Sequence, residues 1–388
     1  MDRIYLDNAA TTFPKPPQVV EAISSFLTGE GVNINRGCYQ SAYRVEEQVY
    51  ETRQLLCEMF HGPDCRNVIF TKNITESLNV LLKGYLKPGD HVIVSSLEHN
   101  AVMRPLKQLE KIGVTFSRAA CDADGALLPG SLEACLQSNT RLVVMTHASN
   151  VCGTLMPLEQ VGQFCRQHGL TFFADTAQTA GSFPIDMDAM HIDALAFTGH
   201  KGLMGPQGIG GFILAKGMKD KLEPLLSGGT GSLSHLEEIP DFLPDKFEPG
   251  TLNLPGILGL RAALLWLKQE GLDQVRSHEL ALTERFLAGL EPLEKEGYLN
   301  IIGLRDVLNR AAVVSIQTTS VELSEAAYLL DERYGIMTRV GLHCAPSAHK
   351  TLGVYPEGTI RFSFGYFNTE AHVDAALEAL GEICGSKA

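Results

Sequence analysis

Lys201 stands just past the apolar run DALAFTG (193–199) and is followed by the glycine-rich stretch GLMGPQGIGG. An ammonium at the end of a buried run is costly unless paired or neutralised, and a lysine that can shed its proton can form an imine with an aldehyde. Other apolar runs also end on polar groups. NVIFT (67–71) leads to Asn73 and Thr75, HVIVSS (91–96) to Glu98, His99 and Asn100, and LVVMTHAS (142–149) to Asn150. LTFFAD (170–175) closes on Asp175 with Gln178 just beyond, and DALAFTG carries Thr198 ahead of His200. Asn73, with Glu76 three residues on, reads as a helix cap that leaves Thr75 and free backbone N–H groups at a helix N-terminus suited to phosphate. Singly, each has a plainer reading as a cap, a turn residue, a loop histidine or a solvated lysine. Jointly, a carboxylate that can keep a pyridine nitrogen protonated, a lysine that can form an imine and a phosphate cradle are the parts for pyridoxal phosphate, whose ring is an electron sink. The alternative is a nucleotide site, since GPQGIGG and SGGTGS are glycine-rich. Neither matches a phosphate-loop or dinucleotide fingerprint in a strand-to-helix context.

Those residues meet only if the apolar runs are strands of one sheet. From about residue 67 short apolar runs alternate with helical periodicity: TESLNVLLKGYL, AVMRPLKQLEKIG and LEQVGQFCRQHG lie between NVIFT, HVIVSS, LVVMTHAS and LTFFAD. The pattern predicts βαβ units, and continuously apolar strands fit a mainly parallel sheet covered by helices on both faces. The fold class is α/β, and ligands of such sheets collect at the carboxyl ends of the strands. Residues 227–256 dissolve into Gly, Pro and acidic residues, after which ILGLRAALLWLKQEG resumes as a long amphipathic helix. We expect an N-terminal segment and large α/β domain over 1–256 and a small α+β domain over 257–388. The latter reads as a helix, strand AAVVSIQT, helix SEAAYLLDERYG, strands IMTRV and TIRFSFG, and a last helix TEAHVDAALEALGEIC capped by Asn368 or Thr369.

Composition narrows the partners. With 388 residues and 45% hydrophobic, the chain supports a large core and a second domain. Its 32 Lys and Arg against 45 Asp and Glu give a net charge of -13, a field that repels polyanions, so nucleic acid is excluded as a partner. No apolar run reaches membrane-spanning length, and MDRIYLDNAATTF lacks a basic and apolar leader, so the expectation is a cytoplasmic protein without a membrane anchor. Nine scattered cysteines, never spaced C-x-x-C, argue against a disulfide framework and a zinc site; eight read as packed thiols. Cys344 differs, since GLHCAPSAH is glycine-led, polar and interrupted by proline, which predicts a loop with Arg339 and His343 nearby to favour a thiolate.

The chain resembles the class V aminotransferase superfamily of pyridoxal phosphate enzymes, and within it the cysteine desulfurases, almost from end to end. The resemblance rests on YLDNAATT (5–12), SLEHNAV (96–102), HASNVCGT (147–154), ADTAQTAG (174–181), FTGHKGLMGPQGIG (197–210), FEPGTLN (247–253) and RVGLHCAP (339–346). It implies the aspartate aminotransferase-like fold, type I among pyridoxal phosphate enzymes. By the same resemblance Lys201 is the Schiff-base lysine and later proton-transfer base, Asp175 the pyridinium partner, Gln178 the donor to the ring's phenolate oxygen and His99 the imidazole stacked on the cofactor. Thr75, Thr198 and His200 look like phosphate ligands, and Thr251 like the threonine that reaches the neighbouring subunit's phosphate, which implies a homodimer. Arg361 stands where the family binds the substrate carboxylate, with Asn150 close to it and to a cofactor oxygen, and Arg339 is a further substrate-side candidate.

RVGLHCA is similar to the RTGHHCA-like motif that presents the nucleophile in group II cysteine desulfurases, except that Leu342 replaces a histidine and the stretch after the cysteine is shorter. The resemblance implies desulfuration of L-cysteine to L-alanine, with sulfur carried on Cys344 as a persulfide and passed to an acceptor protein or thiol, for iron–sulfur cluster assembly or another use of sulfur. Selenocysteine lyase, another class V aminotransferase or lyase, and a cofactor-free sulfur-transfer scaffold are the alternatives. Intact Lys201 and Asp175 count against the scaffold.

Overall fold

The computed structural model describes residues 3–34 and 39–385. A two-residue strand, β1 (Ile4–Tyr5), opens the chain. Seven strands then build one sheet: β2 (Val68–Thr71), β3 (His91–Ser95), β4 (Thr115–Ala119), β5 (Thr140–Thr146), β6 (Thr171–Asp175), β7 (Ala194–Thr198) and β8 (Gly210–Leu214). Their order is β2-β8-β7-β6-β5-β3-β4. Only β8 runs against its neighbours. Side chains alternate between two helix-covered faces: Phe172 and Leu195 enter one core, Phe173 and Ala196 the other. Both faces being dry explains why the strands read as unbroken apolar runs. β3 pairs with β4 on one side and β5 on the other, so the chain reverses direction of travel there and leaves a crevice at the carboxyl ends of β3 and β5.

The second sheet contains β9 (Leu299–Ile302), β10 (Val313–Thr318), β12 (Arg339–Gly341) and β13 (Thr359–Ser363), antiparallel throughout in the order β12-β13-β10-β9. Its core draws on the helices Leu272–Lys295, Leu323–Tyr334 and Glu370–Gly385 and also includes Leu6. The run IMTRV is not one strand. β11 (Ile336–Met337) pairs parallel with β1, and after Thr338 the chain turns to lay β12 against β13. The first strand and the last helix therefore meet beside this sheet. The long helix Leu254–Glu270 stays with the first core, packed on the helices Pro17–Ser25 and Gln40–Met59. Of the two candidate caps for the last helix, Thr369 takes the role, its Oγ1 accepting from the His372 N–H at 3.4 Å.

Eight cysteines are free thiols, but only Cys121, Cys152, Cys165 and Cys384 are buried. Cys57, Cys65 and Cys135 are half-buried, because each lies at the edge of a helix rather than inside a layer, and Cys38 lies outside the described residues. Among the described residues no helix is long and apolar enough to cross a membrane, and no His, Cys, Asp and Glu group could hold a metal ion.

Candidate active site

β6 ends on Asp175, which is 3% exposed and whose Oδ1 accepts from the Ala177 N–H at 2.9 Å. Burial pushes its carboxyl up and the Lys201 charge pulls it back down. Lys201 follows β7 in a loop that is locked to the one after β6 by two glycines. Gly181 has φ of 92°, and a Cβ there would lie 2.2 Å from the Gly202 carbonyl oxygen; a Cβ on Gly202 would lie 2.5 Å from that of Ala180. Only bare backbone permits this approach, which fixes Lys201 relative to Asp175 and Gln178. Burial, and next the Arg361 guanidinium, pull the Lys201 ammonium down to about 8, while Asp175 acts the other way. The amine is thus within reach of the neutral state that chemistry requires.

His99 caps the helix Asn100–Leu109, its Nδ1 accepting from the Ala101 N–H at 3.0 Å. Burial and the Lys201 charge bring it down to about 4, so at neutral pH the ring is an uncharged plate with its proton on Nε2. Asn73 caps the helix Ile74–Tyr85 by accepting from the Glu76 N–H at 3.0 Å, and Glu76 answers by accepting from the Lys72 N–H. Thr75 is exposed in that first turn.

Two atoms beside Lys201 are buried with no partner: Thr198 Oγ1 and His200 Nδ1. A buried polar atom left unsatisfied is destabilising, so both point to a polar group that completes them. His200 is held neutral, at about 4, by burial and by Lys201, and its carbonyl accepts from the Lys15 ammonium at 2.7 Å. The set fits pyridoxal phosphate: hydroxyl, imidazole and helix N–H donors for phosphate, a buried carboxylate for the ring nitrogen, a flat imidazole for the ring face and a depressed lysine. Gln178 donates to the Ala9 carbonyl at 3.2 Å and lines, with Lys201, Asn8, Thr12 and Glu279, a cavity of about 30 Å³. Thr251 is exposed in a groove with Lys72 and Glu76 that does not include Lys201.

The second sheet closes the site. Arg339 and Arg361 face each other across β12 and β13, so register alone sets two guanidinium groups side by side. Arg361 is 1% exposed; Nη2 donates to Asp7 Oδ1 at 2.6 Å, Nη1 to the Asn150 carbonyl at 3.1 Å, and Nε has no partner. Asn150 in turn donates to the His343 carbonyl at 2.7 Å. Cys344 is exposed, with Arg339 Nη2 3.8 Å from its sulfur. His343 and Cys344 have φ of 45° and 58°, a left-handed pair of non-glycine residues that the surroundings must hold in place. One restraint is the Asn100 N–H, which donates to the Cys344 carbonyl at 2.9 Å and so ties the cysteine loop to the residue after His99. His343 does not supply charge to the thiol. Its Nε2 meets Thr359 Oγ1 at 2.9 Å and burial pushes it down to about 2, leaving Arg339 as the cation beside the sulfur.

Asp7, Lys15, Glu98 and Glu279 belong to this surround and were not assigned a role from sequence. Asp7 lies in the quoted YLDNAATT motif, but its partner is Arg361, far along the chain. Glu98 stands beside His99 in SLEHN, its adjacency being the available signal. A wider cleft of about 820 Å³ lined by His61, Arg166, Asp186 and His191 contains none of the strand-end set.

A mixed, mainly parallel sheet with a lysine and an aspartate at neighbouring strand ends, closed by a small antiparallel domain, defines an aspartate aminotransferase-like fold. The family model for class V aminotransferases matches residues 4–376. The chain belongs to that family, whose members depend on pyridoxal phosphate. It is 33% identical to a probable cysteine desulfurase from Methanothermobacter thermautotrophicus, over 99% of this chain and 95% of that one. Identity to a cysteine desulfurase from Haloferax volcanii is 31%, over 97% and 88%. Among solved structures, an apo cysteine desulfurase from Thermococcus onnurineus superposes with a TM-score of 0.91 at 31% identity, covering 100% of this chain and 96% of that one. A cysteine desulfurase from Escherichia coli superposes with 0.86 at 30% identity, over 98% and 94%.

Proposed function

We propose that this chain is a pyridoxal phosphate-dependent cysteine desulfurase, converting L-cysteine to L-alanine and carrying the sulfur on Cys344. The observation that carries the reading is Cys344 itself: exposed, 3.8 Å from the Arg339 guanidinium, and tied through its carbonyl to the residue after His99. Its relatives named as cysteine desulfurases support the same reading.

Thr75, Thr198 and His200 would hold the cofactor phosphate, Asp175 the protonated ring nitrogen, Gln178 the ring oxygen and His99 the ring face. Bound there, the cofactor supplies an electron sink for charge at the substrate's α carbon. Arg361 and Asn150 orient the substrate: its carboxylate takes the free Nε and exchanges with Asp7 for Nη2, a planar bidentate grip. Lys201, uncharged for a sizeable fraction of the time near pH 8, accepts the α proton and returns a proton to carbon at the end. Cys344, as thiolate beside Arg339, attacks the substrate sulfur. The new S–S bond forms as the carbon–sulfur bond breaks, its electron pair staying with the carbon skeleton, which is released as alanine after protonation.

We further read the enzyme as a cytoplasmic homodimer handing sulfur to an acceptor protein or thiol, its first domain running past the expected residue 256 to take in the helix Leu254–Glu270. The test is Cys344→Ala beside Lys201→Ala. Cys344→Ala is expected to keep the visible absorbance of a lysine-linked cofactor while sulfane sulfur release from cysteine falls at least about 100-fold. Lys201→Ala is expected to lose both. Unchanged sulfur release by Cys344→Ala, with cysteine, selenocysteine and cysteine sulfinate compared as substrates, would transfer the reading to a different lyase chemistry.

A further inference from the structure

Beside the cysteine loop, between the carboxyl end of β3, the helix Asn100–Leu109, β4 and the short helix Pro346–Thr351, lies a cleft of about 560 Å³. Arg104, Lys107, Arg118 and Lys350 line it. Such a gathering of cations is unfavourable by itself and stands out in a chain of net charge -13. Of these four, only Lys107 has a carboxylate partner among the described residues, Glu110 one helical turn on, 2.7 Å away. Lys107 and Arg118 both lie over the Phe116 ring, each 4.9 Å from its centre, and Lys350 lies 4.8 Å from the centre of Tyr355. These contacts hold the cations in place without neutralising them.

The one carboxyl group lining the cleft, Glu98, does not balance the charge. It is fully buried; Oε1 accepts from Ser95 Oγ at 2.5 Å and the Thr146 N–H at 3.0 Å, while Oε2 has no partner. Burial pushes it up to about 8, so at neutral pH it is mostly an un-ionised acid whose free Oε2–H is a buried donor without an acceptor. The cleft thus offers four positive groups, and the one carboxyl group that lines it is buried and turned to Ser95 and Thr146. Its size suits a small molecule rather than a flat protein contact. Asn100, Pro346 and Ser347, which also line it, flank Cys344, and the Asn100 N–H holds the Cys344 carbonyl.

We propose that this cleft binds a small thiol bearing at least two negative charges and presents it to the sulfur carried on Cys344. The inference rests on the desulfurase reading. The acceptor's thiolate attacks the outer sulfur of the Cys344 persulfide. A new S–S bond forms on the acceptor, the bond between the two sulfurs on the enzyme breaks, and its electron pair returns to Cys344 as a thiolate. Sulfur changes hands with no external oxidant or reductant, and the cleft cations hold the acceptor's other charges away from the departing thiolate.

The test uses the holoenzyme with saturating cysteine and two acceptors at matched thiolate concentration, mercaptosuccinate and neutral 2-mercaptoethanol. Mercaptosuccinate is expected to saturate and to accept sulfur at least about tenfold more efficiently, a gap of about 1.4 kcal/mol. In R118E/K350E that advantage is expected to vanish while transfer to 2-mercaptoethanol stays unchanged, and the milder R118Q/K350Q guards against a folding defect. Calorimetry with S-methylmercaptosuccinate, which cannot accept sulfur, is expected to show binding that the charge reversal abolishes, with or without cysteine turnover. Equal use of the two thiols, insensitivity to the charge reversal, or no calorimetric binding of S-methylmercaptosuccinate would overturn the inference. Failure of the desulfurase reading shows differently, as absence of alanine with every acceptor while S-methylmercaptosuccinate still binds.

Discussion

Lys201 is surrounded by charges that disagree: Arg361 and Arg339 disfavour its ammonium, Asp175 and Asp7 favour it, and burial outweighs them all, bringing it to about 8. Attack on an aldehyde needs the neutral amine, so the rate of pyridoxal phosphate attachment to the cofactor-free protein tracks the neutral fraction. That rate is expected to rise about tenfold per pH unit below pH 8 and to level off above it. Stopped-flow absorbance across pH 6 to 10 checks this; a rate still climbing steeply at pH 10 would mean an ordinary, solvated lysine. The strand-end polar set was legible in sequence because each member lies within a few residues of an apolar run. Asp7 was not. Its pairing with Arg361 joins positions 354 apart in sequence, and no local pattern reports it. The neutral state of His343 was equally hidden, since a histidine beside a cysteine looks like a cation source until its ring is seen turned to Thr359.

At the scale of elements, the site depends on how closely two loops pack. The loop after β6 and the loop after β7 touch backbone to backbone at Gly181 and Gly202. Gly181→Ala introduces both a left-handed alanine and a Cβ 2.2 Å from a carbonyl oxygen. The expected loss is at least about 2 kcal/mol, together with weaker cofactor retention, because Asp175 and Lys201 must move apart. Gly169→Ala is the control: its φ is also positive, at 66°, but nothing lies within 4 Å of the added carbon, so it is expected to cost about 1 kcal/mol and leave cofactor retention unaltered. Denaturant titration with and without pyridoxal phosphate separates the two, and equal effects from both substitutions would remove the loop contact from the account. The elements themselves were readable where a run was long and continuously apolar. β4, half exposed at the sheet edge, was missed because TFSRA has no such run. β8 was missed as a strand because its glycines, which admit the Ile69 carbonyl and the Phe197 ring, look like a loop. IMTRV was read as one strand because a one-residue break, at Thr338, has no signature in composition.

Across the whole molecule, the two ends of the chain are brought together to build one site. β1 joins β11, Leu6 enters the second core, and Asp7 and Asn8 reach Arg361 and Asn368. Thr251 stands apart from this arrangement, exposed in the groove with Lys72 and Glu76, where it does nothing for the Lys201 of its own chain. If it instead completes the phosphate site of a second copy, each site takes Lys201 from one chain and Thr251 from the other. That division is testable by mixing defects. Lys201→Ala and Thr251→Ala are each expected to be defective alone. In a dimer containing one chain of each kind, one site lacks both residues and the other has both intact. Random reassociation after mild unfolding therefore restores about a quarter of all sites, since half the dimers are mixed and one of two sites in each is whole. Were Thr251 to serve its own chain, every site in every dimer would still lack one residue or the other. Mixing would then recover nothing above the average of the two separate proteins, and that result would return Thr251 to the surface of a single chain.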